Sequence, residues 1–205
     1  MAGYKLLFVV FISIFASLIM LPQVSSWGVY THFSISEKSF DAVPSSNLIK
    51  QAVMKNQDTK DSCFVAVHFP DVSVIYYYTS FETYKALHDW NLYKKLIELA
   101  ETDNEKAFAY CYGLHLAQDT ISHNYHIPDK IRRYKIPNSI LHPVTEIGID
   151  ANYFKPEATG SFNRWPEFIP LMKRATGRDW SKEAKILGEA ISANSFYDTT
   201  FSIPE

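Results

Sequence analysis

Apolar residues recur three and four positions apart along most of this chain, the spacing of helices that turn one face inward. The pattern opens on an unbroken apolar stretch, Leu6 to Leu21, followed by Pro22 and then Val24, Ser25 and Ser26. Beyond it, "NLIKQAVMKN" reads as a short helix capped by Ser45 or Ser46, and Phe81 to Glu101 keeps helical spacing over about five turns. Thr102 or Asp103 can cap "NEKAFAYCYGLHLAQDTISH", which should end near Ile127 and Pro128, because proline disfavours helix at the residue before it. Ser139 can cap "ILHPVTEIGIDANYF", with Pro143 near the first turn, where its missing N–H does least harm; Asp179 or Ser181 starts a last helix through "KEAKILGEAIS". One region stays open: "FVAVHF" and "VSVIYYY", either side of Pro70 and Asp71, suit two strands or a buried helix–loop–helix equally. With no repeat, low-complexity tract or Gly/Ser linker, the chain is expected to be an all-α, single-domain helical bundle.

The apolar opening has the three-part layout of a secretory signal peptide: Lys5, the apolar run, and a small-residue cleavage site ending at Ser26. The run is slightly long for such a core and slightly short for a membrane span of about 20 residues, so an uncleaved anchor is the other reading. Cleavage there would remove residues 1–26 and make Trp27 the first residue of one domain, 27–205, in a secreted or periplasmic protein. No cysteine follows the cut, so a lipid anchor is not expected. The balance of 20 Lys+Arg against 22 Asp+Glu carries no polybasic footprint for nucleic acid or a membrane surface. Cys63 and Cys111, the two cysteines, fit a disulfide in an exported chain and a buried free thiol equally well. Trp90, Trp165 and Trp180 are expected in the core.

Candidate chemistry sits in the middle of the chain. His115, Asp119 and His123 stand at i, i+4 and i+8, which at 3.6 residues per turn places imidazole, carboxylate and imidazole on one face of an otherwise apolar helix. Taken alone the triplet suits a solvated polar stripe or a set of metal ligands, and the apolar helix around it favours ligands, since buried groups of that kind need partners. His142 and Glu146 repeat the i, i+4 spacing, which alone suits a surface pair. Five of the seven histidines, His88, His115, His123, His126 and His142, crowd into this region, with Asp71 and the His88–Asp89 pair just upstream. His68 is read as structural, or as a group that orients a ligand.

The ordered set "WGVYTH", "FPD", "LHD", "GLHLAQDTISH" and "HPVTE" resembles the zinc-dependent phospholipase C family, including the catalytic domain of glycosylphosphatidylinositol-specific phospholipases D. It is similar, more distantly, to the fungal single-strand-specific nucleases. The resemblance runs from Trp27 to about Asp150. It implies an all-α bundle holding three zinc ions: one on Asp71, His88, His115 and Asp119, one on His123, His142 and Glu146, and one on His32 and Trp27, with Asp119 bridging. In the family the terminal tryptophan coordinates through its free α-amine and its carbonyl, so cleavage before Trp27 would itself create a ligand. Three departures stand out. His123 follows Asp119 by four residues, as in the glycosylphosphatidylinositol-cleaving branch, whereas the bacterial enzymes and nucleases use six; position 125 is tyrosine, and His126 is the reserve. Tyr30 and Lys85 replace residues of the bacterial choline pocket, and Thr31 replaces the glycine of the nucleases.

Imidazole and carboxylate ligands without thiolates suit zinc sites that keep an open position, where a hydroxide bridging two zincs can attack phosphorus. The resemblance therefore implies an exported phosphodiesterase of phospholipase C type, with Asp119 holding the metals and Asp71 acting on the attacking water. The alternatives are a single-strand-specific zinc nuclease and a zinc-binding protein that has lost turnover. The expected partners are a phospholipid or other phosphodiester and a peripheral membrane surface, with no stable nucleic-acid or protein partner. "WPEFIPLM", Trp165 to Met172, suits a docking surface or core packing equally.

Overall fold

A computed structural model describes residues 28–76, 80–135, 149–150 and 163–192, and among them every regular element is helical. In chain order these are α1 (Val29–Ala42), α2 (Leu48–Val53), α3 (Gln57–Ala66), a 3-10 stretch (Phe69–Tyr76), α4 (Phe81–Leu87), α5 (Trp90–Leu99) and α6 (Asp103–Ile121). A π-helical turn (Ser122–His126), α7 (Ile127–Tyr134), a 3-10 turn (Trp165–Phe168), α8 (Ile169–Thr176) and α9 (Ser181–Ser192) follow. The chain is all-α, as its patterning predicts.

Local chemistry explains where most elements start. Thr102 and Glu105 form a reciprocal capping box at the head of α6, so the cap is Thr102 and Asp103 is the first helical residue. Asn47, not Ser45 or Ser46, caps α2 by accepting the Lys50 N–H at 3.0 Å. The stretch from Phe81 to Glu101 is two helices, because the Asp89 carboxylate accepts the Asn91 N–H at 2.8 Å and restarts the chain as α5. Pro128 does not stop the chain: it falls in the first turn of α7, where no N–H is required. Asp179 accepts the Ser181 N–H at 2.9 Å and starts α9. The open region is helical from Phe64 as far as Tyr76: Phe64, Val65, Ala66, Val67, Phe69 and Val72 are all buried, and a continuous buried run packs as helix and 3-10 turn without needing two faces. The helix expected from Ser139 lies largely outside the described residues.

One core joins elements from α1 to α9. Helix α3 lies along α6, and Gly113 of α6 lets the Tyr93 ring of α5 close in: a Cβ there would meet that ring at 2.5 Å. Phe108 stacks on Phe168 at 4.5 Å and meets Phe69 edge-on at 5.6 Å. Phe168, Leu171 and Met172 are buried, so the "WPEFIPLM" stretch is core rather than a docking face. Trp180 is buried, with its indole N–H on Thr176, and Trp165 packs against the core; Trp90, expected inside, is 44% exposed.

Cys63 and Cys111 form a disulfide that ties α3 to α6 across 48 residues of sequence. Closing a loop of that length removes denatured-state freedom equivalent to about 4 kcal/mol on the chain-entropy account. Replacing both cysteines with alanine is expected to lower unfolding stability by roughly 2–4 kcal/mol in urea titration. An unchanged midpoint would show that the bridge adds nothing to the packing of α3 on α6.

Candidate metal centre

Three histidines from three elements aim the same ring nitrogen at one place. His115, on α6, sets its Nδ1 2.8 Å from the Val67 carbonyl, and His88, at the end of α4, sets its Nδ1 3.2 Å from the Tyr84 carbonyl. A carbonyl only accepts, so each Nδ1 carries the proton and each neutral ring presents a lone pair at Nε2. His32, on α1, reaches the same state through a relay. The Ser36 hydroxyl donates to the His32 carbonyl at 2.7 Å, so its oxygen receives the Gln118 amide N–H at 2.9 Å. That turns Gln118 Oε1 towards His32 Nδ1, at 2.5 Å, as the acceptor of its proton.

The three Nε2 atoms face two carboxylates. Asp119 Oδ1 lies 3.3 Å from His32 Nε2, while its Oδ2 lies 3.2 Å from His115 Nε2 and 3.6 Å from His88 Nε2. Asp71 Oδ1 lies 3.7 Å from His88 Nε2 and 3.9 Å from His115 Nε2. Lone pairs thus face carboxylate oxygens, and buried acceptors that meet acceptors require positive charge between them. These separations are close to the roughly 3.4 Å that two ligands keep when both sit about 2.1 Å from one tetrahedral ion. Among the described residues, His88 Nε2, His115 Nε2 and Asp71 Oδ1 are buried and make no hydrogen bond. Two overlapping donor sets, His32–His115–Asp119 and Asp71–His88–His115, each gather their ligand atoms within 4.8 Å, and each can hold a metal ion.

Without an ion, protons supply the charge. Burial pushes the His32 imidazole down, but Asp119 and then Asp71 outweigh it and the net shift is upward; His88 is likewise lowered by burial and raised overall by Asp71 and Asp119. Burial pushes Asp71 and Asp119 up, yet the facing imidazoles, His115 foremost, hold Asp71 below its usual value and Asp119 well below. Packing fixes the rings as well: His32 stacks on His115 at 4.3 Å and His88 on Tyr84 at 4.4 Å. The Tyr112 hydroxyl donates to the Leu87 carbonyl at 2.5 Å, which pins the backbone just before His88.

No family model, curated protein or solved structure matches the chain. The donor geometry itself is what describes this site.

Of the expected ligands, the structure gathers His32, Asp71, His88, His115 and Asp119. His123 lines a cleft of about 230 Å³ together with His88, Asp119, Tyr84 and Trp90, but belongs to neither donor set. The resemblance assigns His123 to a different zinc, with His142 and Glu146 rather than with either set, and it sits in the π turn Ser122–His126. His126, the reserve, is in the same turn and also outside both sets. His68 is buried with its ring parallel to Phe33 and joins neither set. Trp27, His142 and Glu146 lie outside the described residues. Sequence reasoning misses Gln118, whose signal is a polar side chain in an apolar helix one residue before Asp119, and Asp150, buried against the start of α1.

Proposed function

We propose that the protein is an exported zinc-dependent phosphodiesterase of the phospholipase C type. The observation that carries the reading is the convergence of three Nε2 lone pairs on two buried carboxylates across 3.2–3.9 Å, a set of hard and borderline donors with no thiolate. His32, Asp71, His88, His115 and Asp119 would hold zinc, with Trp27, His123, His142 and Glu146 completing the three ions that the sequence resemblance implies. Zinc bound there would supply Lewis acidity towards a phosphoryl group and a bound water acidic enough to react near neutral pH.

The chain's own residues do the rest. His115 is shared by the two donor sets, and Asp119 spans from one to the other, with one oxygen towards His32 and the other towards His115 and His88. Asp71 is held ionised beside them and is placed to take a proton. Neither lysine nor arginine lines the adjoining cleft among the described residues, so the charge of a bound phosphodiester would be met at the metal centre. The volume of the cleft suits a head group rather than acyl chains. The Cys63–Cys111 bridge supports an oxidising compartment. One observation favours a second reading: Trp90, 44% exposed on the cleft wall, offers a face on which a base of single-stranded nucleic acid can stack.

The test is elemental analysis of the processed protein, alongside hydrolysis of phosphatidylcholine, phosphatidylinositol and single-stranded DNA. Zinc in the protein with release of diacylglycerol is the expected result. Zinc with DNA cleavage alone selects the nuclease reading, and a protein that takes up no zinc overturns both.

A further inference from the structure

Helix α1 begins without a cap of its own. Its N-cap residue is Gly28, which has no side chain to receive the first N–H groups, and a buried helix start needs such an acceptor. The acceptor comes from far along the chain. Asp150, 2% exposed, places Oδ1 2.8 Å from the Thr31 N–H and 3.2 Å from the Thr31 hydroxyl, across a sequence separation of 119 residues. The same carboxylate occupies the space where a side chain at position 28 would go: a Cβ on Gly28 would lie 2.3 Å from Asp150 Cγ and 2.6 Å from Oδ1. Glycine is needed here for room rather than for its conformational freedom, since its φ of −63° is open to any residue. The clasped turn ends at His32, whose N–H bonds to the Gly28 carbonyl at 3.1 Å.

From this geometry we infer that Asp150 is a positioning residue for the metal centre: it caps α1 from a distance, and with Gly28 it sets the turn that presents His32 to Asp119. The inference rests on the metal-binding reading above. The anionic cap also sits at the positive end of the helix dipole, which adds to the hydrogen bonds. A cap needs an acceptor oxygen, not a charge, so asparagine should replace Asp150 where alanine cannot.

The experiment uses Asp150→Ala, Asp150→Asn, Gly28→Ala and, as a control of comparable instability, Leu171→Ala in the core of the full-length protein. Amide hydrogen exchange at Tyr30 to His32 is read in metal-free protein, and zinc affinity by competition with a chromophoric chelator. Asp150→Ala and Gly28→Ala are expected to speed exchange in that turn and weaken zinc binding by about 10- to 100-fold, while Asp150→Asn stays within a few-fold of the parent on both. Leu171→Ala is expected to lose stability and keep its zinc affinity. Unchanged exchange in Asp150→Ala, an asparagine variant as weak as the alanine one, or equal zinc loss in the control would each overturn the inference. A parent protein that binds no zinc while the turn still loosens in Asp150→Ala overturns the metal reading, and with it the ligand-positioning role, but leaves the clasp as the cap of α1.

Discussion

Asp119→Asn is expected to abolish phosphodiester hydrolysis and to lower the zinc bound per chain, the largest effect of any single ligand change. The asymmetry follows from the geometry. Each histidine presents a single Nε2, whereas Asp119 presents two atoms, Oδ1 to His32 at 3.3 Å and Oδ2 to His115 and His88 at 3.2 and 3.6 Å. Asparagine keeps the volume but removes the negative charge, so the loss is chemical rather than a cavity. If the carboxylate supplies several kcal/mol of charge balance at the reacting centre, turnover should fall about a thousandfold or more. The metal-free protein should weaken too, by roughly 3 kcal/mol, since the facing imidazoles lose their buried counter-charge. Asp103→Asn is the control. Asp103 also pairs with a cation, Lys55, but both side chains are more than half exposed, so the change should leave zinc content and turnover untouched. Full activity in Asp119→Asn would sink the proposed centre.

The sequence shows the fold because helical periodicity is a local property, and α6 also carries its own start signal in Thr102 and Glu105. It does not show the break at His88 and Asp89, where apolar spacing continues through a polar pair that could equally sit on a solvated face; only the Asp89 cap reveals the second helix. Cys63–Cys111 is invisible for a different reason: the bridge exists because α3 lies along α6, which spacing cannot tell. His115 and Asp119 are legible as a pair because an α-helix brings i and i+4 together. His123 follows from the same rule and lines the cleft beside Asp119, although Ser122–His126 is a π turn that periodicity does not announce. The convergence of His32, Asp71 and His88 on that pair is tertiary, and only the order of short motifs along the chain hinted at it. What orients the rings leaves still less trace, since the Val67 and Tyr84 carbonyls belong to the backbone and any residue offers one.

The same geometry sets a pH signature for metal removal. His32 and His88 have folded pKa values raised above the ordinary 6.5, so their stabilising contribution is complete below that value and is lost as pH rises through the folded ones. Asp71 and Asp119 are lowered, so theirs is present above the ordinary 3.8 and is lost only as pH falls through the folded values. Asp150, pushed up to about 6 by burial, has its full contribution below 3.8 and loses it as pH rises through about 6. The metal-free protein should therefore be less stable at pH 8 than near pH 6, as the imidazoles lose the protons that balance Asp71 and Asp119. Zinc changes in the opposite sense, because each imidazole must be deprotonated to bind it. Free zinc at a thousand times the dissociation constant adds about 4 kcal/mol per site, which in a chain of this size is roughly 10 °C in Tm. Thermal scans with and without a chelator should thus show a narrow gap at pH 5.5 that widens to about 10 °C or more at pH 8. A gap that widened towards acid, or a Tm indifferent to chelation at pH 8, would mean that the five gathered side chains satisfy one another by proton sharing and hold no ion.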